Sequence, residues 1–108
     1  MKTLDKTTMT RLAWLTELRR QGHRQCFEEY AIGANVCALG LLVEVSGCDP
    51  KEPSTWNFDW RDETQVGALA GLTAAQSTEA TRRNDGDHGY HRHTFAEIAD
   101  VVSSWFPS

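Results

Sequence analysis

Between Val36 and Gly47 the chain reads Val-Cys-Ala-Leu-Gly-Leu-Leu-Val-Glu-Val-Ser-Gly, apolar around nearly the whole circumference of a helix. A segment without a polar face must be covered by its neighbours. The run is too short to span a bilayer, which takes about 20 apolar residues. It predicts a central helix over 36–46 in a small soluble domain. A buried strand is the alternative that periodicity leaves open for so short a run. The chain has 108 residues, 40% of them hydrophobic, which suits one domain over 1–108 with a single core. A chain of that length needs neither metal nor disulfide in order to fold.

The remaining helices follow from spacing and punctuation. Leu12, Leu15 and Leu18, with Trp14, predict an apolar face on a helix over 7–21. Arg19 and Arg20 favour the negative end of its dipole, and Gly22 stops it. The segment 26–32 reads as a short helix or one arm of a hairpin. Asn35 is the expected cap of the central helix. Gly40 inside that helix points to another element pressed against its backbone, with the rings of Trp14 or Trp105 as candidates. Residues 66–72 suggest a helical turn. Thr73-Ala-Ala-Gln76 has capping-box spacing and predicts a helix over 74–83, the most exposed of the set, broken by Asn84-Asp85-Gly86. Thr94-Phe-Ala-Glu97 repeats the box, and Phe95, Ile98, Ala99, Val102 and Trp105 predict a last helix over 95–105, stopped by Pro107. The fold class is therefore mainly α: about four helices around a central apolar one, clasped by those at 7–21 and 95–105. A short hairpin before Cys37 would make it α+β.

Composition narrows the function classes. With 15 acidic against 11 basic side chains and a formal charge of −4, general nucleic-acid binding is disfavoured. Three cysteines without C-x-x-C spacing suit a reduced, cytoplasmic protein. Nothing after the N-terminal Met-Lys-Thr-Leu-Asp-Lys resembles the apolar stretch of a signal peptide. Gly-rich phosphate loops, H-E-x-x-H and tandem C-x-x-C are absent from the sequence.

Four constellations carry candidate chemistry. Asp85-Gly-Asp-His88-Gly-Tyr-His91-Arg-His93 supplies metal-ligand types, with His88, His91 and His93 as the alternative ligands. Its plainer reading is a solvated loop tip with turn chemistry, so no cofactor is expected. Cys37 in the first turn of the central helix could be a dipole-activated thiolate, with one of His88, His91 or His93 as base and Asn84 orienting it. Its plainer reading is a small buried hydrophobe. Arg19, Arg20, His23 and Arg24 could join Arg82 and Arg83 as an anion patch; otherwise they are solvated helix ends. Finally, the carboxylates from Glu44 to Glu63 surround Trp56, Phe58 and Trp60 in a Pro-bearing connection. Trp56, Asp59, Trp60, Asp62 and Glu63 would form a partner-binding face suited to a basic groove of a nucleic-acid enzyme. The plainer reading is a long loop pinned to the core by its aromatics.

Gln25, Cys-Ala-Leu-Gly at 37–40, Gly71-Leu72-Thr73, Asn84-Asp85 and Thr94-Phe-Ala-Glu-Ile-Ala-Asp100 together give the chain a resemblance. In this order they resemble a group of small uncharacterised phage and prophage proteins, over nearly the full length. The chain departs from that pattern in residues 86–93, inserted between the Asn-Asp turn and the last capping box. The resemblance implies a setting on mobile genetic elements, and no mechanism. The expectation is thus a non-enzymatic accessory protein binding a host protein in the host cytoplasm, with anti-CRISPR or other anti-defence inhibition as one form. The alternative is a small hydrolase-like enzyme using Cys37 or the His88–His93 loop.

Overall fold

The apolar run folds as expected in the computed structural model, which describes residues 5–52, 56 and 62–106. Residues 38–43 are all buried in a helix over Ala38–Val45, and Val36 before it is buried too. In chain order, α1 spans Lys6–Arg20, a 3-10 turn Gly22–Arg24, β1 Ala31–Ile32, β2 Asn35–Val36, and α2 is that apolar helix. Then come α3, Glu63–Ala68, α4, Ala74–Asp85, and α5, Phe95–Trp105. The described residues are mainly α-helical with one short antiparallel hairpin, Ala31 opposite Val36 and Ile32 opposite Asn35.

Asn35 does not cap α2. It lies in β2, and the cap is Cys37, whose sulfur accepts from the Gly40 N–H at 3.3 Å. Once hairpin pairing holds Asn35 and Val36 extended, the helix can begin only after them. The close approach expected at Gly40 is real, but its source is neither tryptophan. A Cβ there would sit 2.0 Å from the Tyr30 carbonyl oxygen, so it is the segment leading into β1 that rides on the helix.

α2 is flanked by α1, α3 and α4, while α5 packs chiefly on α1 and α4, so the expected clasp is rearranged. One core cluster runs from Trp14 and Leu18 through α2 to Val66, Phe95, Ile98 and Val102. On α1 the expected leucine face is only partly used. Leu12 is 47% exposed, whereas Trp14 is buried and its indole N–H donates to the Ala38 carbonyl at 2.8 Å. α4 is less exposed than its polarity suggests, because Ser77, Ala80 and Asn84 turn inward. At Gly67 a Cβ would overlap the Ser77 hydroxyl at 1.7 Å, so α3 and α4 meet backbone to side chain.

Both capping boxes are formed, Thr73 with Gln76 and Thr94 with Glu97, and α5 has the predicted limits. α4 runs through Asn84 and Asp85, and Gly86 ends it in the left-handed conformation, at φ 78°. Pro107 lies outside the described residues, as do Phe58, Asp59 and Trp60 of the connection. No helix among the described residues is long and apolar enough to cross a membrane.

Candidate functional site

Asn84 organises the site. Fully buried on the last turn of α4, it uses all four of its hydrogen-bonding positions. Its Oδ1 accepts from Gln25 Nε2 at 3.0 Å and from the Ala38 N–H at 3.2 Å. Its Nδ2 donates to the Cys26 carbonyl at 3.0 Å and to Asp85 Oδ1 at 2.9 Å. Ala38 is the first residue of α2, where backbone N–H groups lack helical partners. One carboxamide therefore joins the start of α2, the end of α4 and the segment entering the hairpin. Gln25 extends the join to the next segment by also donating to the His93 carbonyl at 2.7 Å.

Asp85 carries the network outward. Its Oδ1 also accepts from the Glu28 N–H at 2.9 Å, and Glu28 has φ 70°, a conformation rarely taken by residues with a side chain. Beside this contact lies a cleft of about 460 Å³ between the hairpin and α4. Tyr30, Ala31, Leu39 and Pro50 give it apolar wall, and Cys37 and Asn84 lie along it. Carboxylates arrive from three elements: Glu28 and Glu29 before β1, Glu63 on α3 and Asp85 on α4. Glu63 Oε1 accepts from the Thr78 hydroxyl at 2.8 Å.

The groups proposed for nucleophilic catalysis are committed elsewhere. Cys37 sits at the N-terminus of α2, but loss of solvation pushes its thiol up to about 12, outweighing the hydrogen bond from Gly40. Near neutral pH such a thiol is protonated and a poor nucleophile. His93 is 8% exposed, and its Nε2 lies 3.0 Å from Arg83 Nη1. A guanidinium only donates, so Nε2 accepts and Nδ1–H donates to the His91 carbonyl at 2.9 Å. Cys37 and Asn84 share the cleft, as sequence spacing allowed, yet no hydrogen bond among the described residues links His93 to either side chain.

The three histidines do not converge as ligands either. His91 and His93 stack at 4.3 Å between ring centroids, and both nitrogens of His93 are taken by Arg83 and His91. His88 is exposed on a turn at φ 54°. No group of three or more His, Cys, Asp or Glu side chains among the described residues is placed to hold a metal ion.

Trp56, expected on a partner-binding face, is buried at 7% exposure, edge-on to Tyr30 at 5.3 Å, and its indole N–H donates to the Asp49 carbonyl. The ring pins the connection to the core. Asp62 caps α3 through Thr64, whose N–H and hydroxyl hold its carboxyl below the usual range. Asp59 and Trp60 lie outside the described residues; among the described residues of the predicted face, Glu63 lines the cleft. The arginines near the end of α1 pair with acids: Arg24 bidentately with Glu44 at 2.9 and 3.0 Å, and Arg19 with Asp100 at 2.9 Å. On α4, Arg83 pairs with Glu79 at 2.7 Å.

Sequence reasoning missed Glu28 and Glu29. Nothing local marks them, because their position depends on a carboxylate 57 residues away. The chain matches no protein-family model, no curated protein and no solved structure.

Proposed function

We propose that this chain is a non-enzymatic accessory protein of phage type that binds a host protein in the host cytoplasm, with anti-defence inhibition as one form. The observation that carries the reading is the use made of Asn84. A buried amide with all four positions filled is a fixed strut. Here it ties together segments that line a cleft, and the one thiol among the described lining residues is protonated at neutral pH. A rigid concave surface without an activated group is suited to recognition rather than turnover. The resemblance of the Cys-Ala-Leu-Gly, Asn-Asp and Phe-Ala-Glu-Ile-Ala-Asp stretches to phage proteins supplies the host setting.

The test is affinity capture from a bacterial host lysate with the tagged full-length chain, followed by reconstitution with the purified captured protein. A stoichiometric complex that forms equally well with Cys37→Ser is the expected result. Turnover of ester or peptide probes by the chain, abolished by Cys37→Ser, would replace this reading with the hydrolase alternative.

A further inference from the structure

The cleft under the hairpin carries more charge than its surroundings neutralise. Elsewhere the helices pair their acids with arginines: Glu17 with Arg20, Glu44 with Arg24, Glu79 with Arg83 and Asp100 with Arg19. Among the described residues, Glu28, Glu29, Glu63 and Asp85 have no ion pair, and Lys51 is the one basic residue lining the cleft. Carboxylates alone would be an ordinary solvated surface. What distinguishes these is the cavity, since about 460 Å³ is within the range of clefts that bind ligands. Charges of one sign gathered in a cleft with low-dielectric walls focus their field on its contents. Apolar wall at Tyr30, Leu39 and Pro50 suits an aliphatic stem rather than a bare ion.

We propose that this cleft is the receptor for a basic side chain, arginine or lysine, presented by a partner protein. The alkyl stem lies along Tyr30 and Leu39, and the cationic head is neutralised by Glu28 and Glu29 with Asp85 and Glu63. The proposal rests on the protein-binding reading above and assigns it a site. It places recognition on the segment 28–31 and the end of α4 rather than on the tryptophans of the connection. A guanidinium also offers five donors to the carboxylates, so arginine is the preferred occupant.

The probe is a fluorescent hexa-arginine peptide titrated into the full-length protein, with hexa-lysine, hexa-glutamate and free spermidine as comparisons. Glu28 and Glu29 cap no helix, so Glu28→Gln with Glu29→Gln should leave the fold intact, as checked by circular dichroism. Asp87→Asn with Asp100→Asn removes the same two charges outside the cleft. Saturable binding of hexa-arginine is expected, weakened about tenfold by the first pair and less than about twofold by the second. Amide shifts on binding should centre on residues 28–31 and Leu39. Equal weakening by both pairs, tighter binding of spermidine than of hexa-arginine, or no saturable binding would each overturn the assignment. The two readings fail separately. A host complex indifferent to Glu28→Gln with Glu29→Gln keeps the partner and loses this site, whereas peptide binding without any captured protein does the reverse.

Discussion

A methyl group added at Gly40 would lie 2.0 Å from the Tyr30 carbonyl oxygen, a backbone atom that cannot swing aside. Gly40→Ala should therefore cost at least about 2 kcal/mol, since overpacking against fixed atoms forces backbone shifts. Thermal denaturation should fall by roughly 10 °C in a chain of this size. Asn84→Ala should cost about 3 kcal/mol in a urea titration, because it strands the Ala38 N–H and the Gln25 amide without their acceptor. Cys37 gives a chemical readout. With its thiol pushed up to about 12, carbamidomethylation by iodoacetamide at neutral pH should run at least about tenfold slower than for an ordinary thiol, as followed by intact mass. Rapid labelling would mean that the thiol ionises near neutral pH and would favour the hydrolase alternative.

Among the elements, the two capping boxes make the same claim with different weight. Thr94→Ala removes the hydroxyl that accepts from the Glu97 N–H and should cost about 1 kcal/mol, measured by chemical denaturation. Helices whose ends are set by neighbours three residues away could be read from the sequence, and α5 was placed to the residue. The start of α2 could not. Its cap is a cysteine sulfur, a poor acceptor by type, set in place because Cys26 and Tyr30 bond the C=O and N–H of the Val36–Cys37 peptide. The close approach at Gly40 was readable from a glycine in an apolar helix, whereas its partner, ten residues back, depended on how the hairpin lay. The same holds for the site. Cys37 and Asn84 both line the cleft, but the sequence does not display which of their hydrogen bonds are already taken. The Glu28–Asp85 contact spans most of the fold and leaves no local trace.

For the molecule as a whole, acid is the informative stress. Asp5, Glu44, Asp62 and Glu97 are all held below their ordinary values, Asp5 by Thr8, Glu44 by Arg24, Asp62 by Thr64 and Glu97 by Thr94. A carboxylate depressed in the folded state binds fewer protons there than in the unfolded chain. Its stabilising contribution is complete above the unfolded values, near 3.8 for Asp and 4.5 for Glu. It is lost progressively as pH falls below them through the folded values. Denaturation midpoints should thus be flat from pH 7 to about 5 and decline below that.

Because the Asn84 carboxamide is shared by segments 46 to 59 residues apart, the cavity has no local precursor. A fragment ending before residue 84 keeps α1, the hairpin and α2 in its sequence but lacks the strut that spaces them. Deuterium should enter the Ala38 amide only through near-global opening, making that single proton a gauge of how often the entire receptor ceases to exist.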